Sequence, residues 1–175
     1  MELRLPEMFE EWTRTLRYEV TRDGDGLVLA NTGGELRYYF VPDPAGVALL
    51  RAERAEDPIP VMTAATIDDL VRFLITVLGY DLRAIRNLPT IRLPFDWSSP
   101  APGFSPVALE AGWTGLRTDA SRAVDVAMVN RDVVHPIVQF SYVASATIAQ
   151  LIASYEDRDG APLLSEFVGG ASDSR

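Results

Sequence analysis

Apolar positions recur along this chain with two different periods, and the alternation between them divides it into elements. Residues 6–16 place Met8, Phe9, Trp12 and Leu16 at helical spacing, follow Pro6, and carry Glu7, Glu10 and Glu11 early, which predicts a short amphipathic helix. Three runs follow at 18–21, 27–30 and 35–41, separated by Asp23-Gly24-Asp25-Gly26 and Asn31-Thr32-Gly33-Gly34. Glycine-bearing turns between short β-rich runs predict an antiparallel meander. After the break at 42–46, residues 47–52 predict a further strand, and 59–62, flanked by Pro58 and interrupted by Pro60, predicts an edge strand.

The pattern then turns helical. Thr66 stands as an N-cap before Asp68 and Asp69, and Leu70, Val71, Phe73, Leu74, Ile75, Val77 and Leu78 lead to Gly79, a helix apolar on most sides and therefore deep. Five prolines between Leu88 and Gly112 predict a long irregular connection carrying Trp97 and Phe104. Residues 113–118 and 123–129 suggest a second hairpin turning near 119–122. Pro136 opens a helix with Ile137, Phe140 and Tyr142, and Ser145 caps another with Ile148, Leu151, Ile152 and Tyr155, a pair short enough in its link to pack antiparallel. Strands in runs with helices grouped beside them predict an α+β class: an antiparallel sheet or meander, an N-terminal helix, one deep central helix and a C-terminal helical pair. One domain is expected over 1–168, with a flexible tail at 169–175.

Composition changes what this scaffold can do. The 175 residues contain no cysteine, one histidine (His135) and sixteen basic residues that are all arginine. Thiolate and Schiff-base chemistry are therefore excluded, and acid-base work near neutral pH falls to His135 or to carboxyls with raised pKa values. A formal charge of −9 opposes nucleic acid and anionic membranes as partners, and scattered arginines form no phosphate-binding cluster. The N-terminal residues show no apolar run of a signal peptide or membrane span, so cytoplasmic residence is the expectation.

Individual motifs resolve into turn chemistry. Asp23 to Gly26 and Asp157 to Gly160 share an Asp-x-Asp-Gly opening with calcium loops, yet lack the closing Glu at the required spacing. One histidine without cysteine cannot build an ordinary zinc site, so no metal and no cofactor are expected. Adjacent carboxylates at Glu10-Glu11 and Asp68-Asp69 diverge on a helix, and no Gly-x-Ser-x-Gly elbow occurs. His135, between Val134 and Pro136, reads as a helix-start residue.

One order of motifs stands out. A Trp-bearing first helix and the Tyr18 strand precede Gly33-Gly34-Glu35-x-Arg37-Tyr38 and a deep helix ending near Gly79. Arg86-x-Leu88-Pro89-x-Ile91-x-Leu93-Pro94 comes next, and Ser154-Tyr155-Glu156-Asp157-x-Asp159-Gly160-x-Pro162-Leu163 closes the chain. From about Glu7 to Phe167 this resembles the actinobacterial immunity-protein family that includes the immunity factor for the tuberculosis necrotizing toxin, an NAD glycohydrolase. The resemblance implies a cytosolic, monomeric antitoxin that forms a heterodimer with a cognate NAD-glycohydrolase toxin domain, blocks its NAD cleft and has no catalytic residues. Its motif residues Gly33, Gly34, Pro89, Asp159 and Gly160 are explained as turn formers and carry no contact role.

Partner-binding residues are expected in the Pro-rich connection: Asp96, Trp97, Phe104 and Glu110. Its aromatic rings either fold back on the domain or enter the partner's cleft. Two other classes stay open, a carboxylate-dependent hydrolase drawing on Asp96, Glu110, Asp119 or Asp125, and a small-molecule or peptide-binding module with a closed apolar cavity.

Overall fold

Pro6 has no amide to leave unsatisfied, and the chain turns helical directly after it. In the computed structural model, which describes residues 2–121, 124–129 and 135–169, helix α1 (Glu7–Thr15) buries Phe9 and Trp12 against the core. Met8 faces solvent, a correction to the predicted stripe, because the contact narrows to Phe9, Trp12 and Thr13. Five strands follow as a meander: β1 (Tyr18–Asp23), β2 (Gly26–Asn31), β3 (Leu36–Asp43), β4 (Gly46–Glu53) and β5 (Ile59–Ala64). Gly26 is a glycine because β3 approaches so closely that a Cβ would stand 2.6 Å from the Phe40 carbonyl oxygen.

The deep helix α2 (Ile67–Ile85) runs past Gly79 for another turn and a half, correcting the predicted end. Gly79 serves packing there. A Cβ at that position would lie 2.3 Å from Cδ1 of Tyr155, so the bare backbone admits that ring. Thr66 is the N-cap residue, although its hydroxyl donates to Asp69 at 2.7 Å and leaves the backbone amides alone.

Beyond α2 the sheet is completed by β6 (Phe104–Ala108), β7 (Trp113–Thr118) and β8 (Val126–Val129), giving eight antiparallel strands in the order β1-β2-β3-β4-β5-β8-β7-β6. Strand β5 is thus interior, paired with both β4 and β8, and not the predicted edge. Pro60 is tolerated because the ladder shifts register beside it, between Leu49 and Leu50. Strand β6 corrects the prediction of an irregular connection, and Pro106 survives in it because β6 pairs with β7 alone. The turn expected at 119–122 is described only as far as Ser121.

Leu27, Leu29, Tyr38, Phe40, Leu49, Met62, Leu116 and Met128 point from the sheet into one hydrophobic cluster with the helices. That cluster extends in sequence from Leu3 to Leu164. Helix α3 (Pro136–Ser141) covers β6 to β8, whereas α4 (Ile148–Glu156) lies on α2. The C-terminal helices are present as predicted, but the partner of α4 is α2 and the expected antiparallel pairing with α3 does not dominate. The cap of α4 is Thr147, in a reciprocal box with Gln150, and not Ser145. Of the expected tail only Gly169 is described, its amide donating to the Thr90 carbonyl at 3.0 Å; 170–175 lie outside the described residues.

Candidate functional site

Arg83, on the last turns of α2, decides where the connection after that helix can go. Its side chain is fully buried, with no carboxylate ion pair among the described residues, and it donates to five backbone carbonyls: Nε to Pro89 at 2.6 Å, Nη1 to Ser154, Tyr155 and Asp157 at 3.3, 3.2 and 2.6 Å, and Nη2 to Arg158 at 2.8 Å. Burial pushes its pKa down, against Tyr155, Asp157 and Asp159, which push it up. The guanidinium fork thereby clamps the start of the connection to the exit of α4. The two sequence stretches at 86–94 and 154–163 thus meet at one residue, and their motif character is structural. The Asp157-x-Asp-Gly loop closes the same corner, with Asp157 Oδ1 accepting from the amides of Asp159 and Ala161 at 2.9 and 3.0 Å.

From that clamp the connection is tied down at both ends and raised in the middle. Ile91 bridges to Val168, and Ile91 and Leu93 are buried in the core. At the far end the buried Ala101 donates its amide to Ser141 Oγ at 2.8 Å, and the Tyr142 hydroxyl donates to the Ser99 carbonyl at 2.8 Å. Between the anchors Phe95, Asp96 and Trp97 stand out together, with Phe95 43% and Trp97 39% exposed. The turn closes through the Ser99 amide and the Asp96 carbonyl. The Trp97 ring meets His135 edge-on, centroids 5.2 Å apart at 69°, and the His135 amide donates to the Phe95 carbonyl at 3.3 Å. His135 is the N-cap residue of α3 and forms the wall behind this ledge.

The four predicted contact residues do not form one cluster. Asp96 and Trp97 share the ledge. Phe104 opens β6, half-buried and packed against the core, so its ring folds back on the protein. Glu110 is exposed in a single 3₁₀ turn after β6, a strand whose four steps put Ala108 about 14 Å from Phe104. Phe95 was not singled out in the sequence, though its place after Pro94 in the Pro-rich stretch was an available signal. Asp96, Glu110, Asp119 and Asp125, the carboxylates of the hydrolase alternative, are each exposed on a different segment. Among the described residues no group of three or more His, Cys, Asp or Glu side chains is placed to hold a metal ion.

A cavity of about 280 Å³ opens beside the ledge, where α2 and α3 part above the sheet. Val61, Phe73, Val77, Met128 and Pro136 give it apolar walls, and Arg51 and Gln139 supply polar groups. Its volume falls short of the roughly 300–1,000 Å³ typical of small-molecule sites. Pro136 directly follows His135, so the cavity mouth and the ledge are neighbours.

A family model described as Immunity protein 61 matches residues 12–163, which include the whole sheet, the ledge and α2 to α4. The chain belongs to the Immunity protein 61 family. The Immunity factor for TNT of Mycobacterium tuberculosis (strain ATCC 25618 / H37Rv) and its homolog in Mycobacterium bovis (strain BCG / Pasteur 1173P2) are each 26% identical to it over 149 residues. That alignment covers 82% of this chain and 80% of theirs. A solved structure, Rv3902c from M. tuberculosis, superposes with a TM-score of 0.79 at 20% identity, covering 91% of this chain and 92% of that one, so the fold is shared. In this Immunity protein 61 chain no described helix is long and apolar enough to cross a membrane.

Proposed function

We propose that this Immunity protein 61 chain neutralises a cognate NAD-glycohydrolase toxin in the cytoplasm, as a one-to-one heterodimer that covers the toxin's NAD cleft and takes no part in catalysis. The observation that carries the reading is the family match over 12–163, joined by relatives named as immunity factors for TNT. An occluding protein needs a rigid protrusion and no chemistry of its own. The ledge has that character: Phe95 and Trp97 are apolar and exposed, Asp96 lies between them, and buried anchors at Leu93 and Ala101 hold both sides. Such aromatic anchors concentrate binding energy within an interface of about 1,600 Å² in total. Glu110 would extend the contact from the β6–β7 turn.

Titrating the protein into a candidate NAD-cleaving toxin domain, with NAD loss followed, tests the reading. Hydrolysis is expected to fall to zero at one equivalent. Undiminished hydrolysis at excess protein, by a toxin domain active on its own, overturns it.

A further inference from the structure

Outside the ledge, two hollows follow one flank of α2. Phe73, Val77, Asp81 and Ala84 are spaced by four, four and three residues and so share a stripe of that helix. Phe73 and Val77 wall the 280 Å³ cavity. Asp81, Ala84 and Ile85 wall a second, more polar cleft of about 500 Å³, closed on the other side by Tyr18 and Asn31 of the sheet. Two exposed large apolar side chains accompany these hollows: Ile85, 72% exposed and in the wall of the cleft, and Ile59, 52% exposed and opposite Arg51, which lines the cavity.

Charge and size select an occupant. Arg51 is already engaged, paired with Glu53 and against the Tyr38 hydroxyl. Asp81 has no such partner: among the described residues no guanidinium pairs with it, although Arg17 also lines the cleft. The residue as a whole is exposed, yet the cleft walls strip water from its carboxyl and push its pKa up, as a cation placed there would reverse. The cavity, at about 280 Å³, has room for a large apolar side chain. From Val77 to Asp81 the helix rises about 6 Å, and alternate residues of an extended strand are spaced by about 6.8 Å.

We infer that this flank of α2 receives one extended segment of the partner protein, an apolar side chain entering the cavity at Val77 and a Lys or Arg two residues away pairing with Asp81. The inference rests on the toxin-binding reading and adds a second contact, continuous with the ledge through Pro136 and His135. A basic segment also suits a protein of net charge −9.

Two variants test it against the same toxin domain, with affinity measured by calorimetry and folding by melting temperature. Val77→Phe narrows the cavity at its α2 wall, and Asp81→Asn removes the charge at an exposed position without loss of shape. Each is expected to weaken binding at least tenfold, and Asp81→Asn to flatten the salt dependence of association while the protein stays folded. If Val77→Phe fails to fold, the Asp81→Asn result decides alone. Wild-type binding with both variants, or the decisive one, within twofold of it overturns the groove and leaves the toxin reading standing. No binding by the wild type overturns both.

Discussion

Arg83 shows how a single residue can set the position of a candidate segment it never touches. A buried guanidinium with no paired carboxylate among the described residues is tolerable because five carbonyls replace its hydration. Arg83→Met would remove the donors and leave the acceptors buried, with an expected loss of about 3 kcal/mol or more of stability in a denaturant titration. Arg83→Lys should fare little better, because an ammonium cannot span acceptors on both segments. Stability unchanged in either variant would refute the clamp. Asp81 is the opposite case, a group held at a cost. Its folded-state pKa is raised, so the folded protein prefers the proton, and ionisation disfavours folding. The cost is absent below the unfolded pKa of about 4, grows as pH rises toward the folded value and is constant above it. Asp81→Asn should therefore melt higher than wild type at pH 7, and the difference should shrink toward zero as pH falls below about 4. A variant less stable at pH 7 would show that Asp81 has a stabilising partner.

At the scale of elements, α4 and the ledge illustrate two ways of fixing a segment. Helix α4 is held by its capping box at Thr147 and Gln150 and by the Tyr155 ring seated on Gly79. Thr147→Ala should cost about 1 kcal/mol, the usual worth of an N-cap. The ledge is held differently, through anchors on either side of the exposed residues, so Trp97 is free of core duty apart from its edge contact with His135. Trp97→Ala is expected to leave the melting temperature within a few degrees and to weaken toxin inhibition by about 2 kcal/mol or more, as central aromatic anchors do. Lost stability with full inhibition by the folded fraction would show that the ring belongs to its own protein.

For the whole molecule the governing quantity is charge. Twenty-five acidic against sixteen basic side chains give −9, and association with a basic partner face should slow as salt rises while dissociation changes less. Stopped-flow association across ionic strengths reads this directly, and a salt-independent on-rate would confine the acidity to solubility. Legibility in the sequence also changed with scale. The meander was readable because its strands are neighbours in sequence joined by glycine turns. The interior place of β5 was not, because β5 and β8 are more than sixty residues apart and nothing local in 59–62 names its distant partner. Strand β6 escaped because Pro106 argues against a strand until one knows that its proline side has no neighbour. At the candidate site, Asp96 and Trp97 were legible as residues without a core assignment. Phe104 looked the same in sequence and turned out to pack, half-buried, against the core.

The sequence by itself determined the fold class, through period and turn residues, since these depend on side-chain type and near neighbours. It also placed α1, α2 and the first four strands, whose signals lie within single turns or hairpins. Only the tertiary structure decided the strand order beyond β5, the seat of α4 on Gly79, the clamp at Arg83 and the two hollows along α2. Each of those depends on contacts between residues far apart in the chain, where close packing selects one partner among many that local pattern would allow.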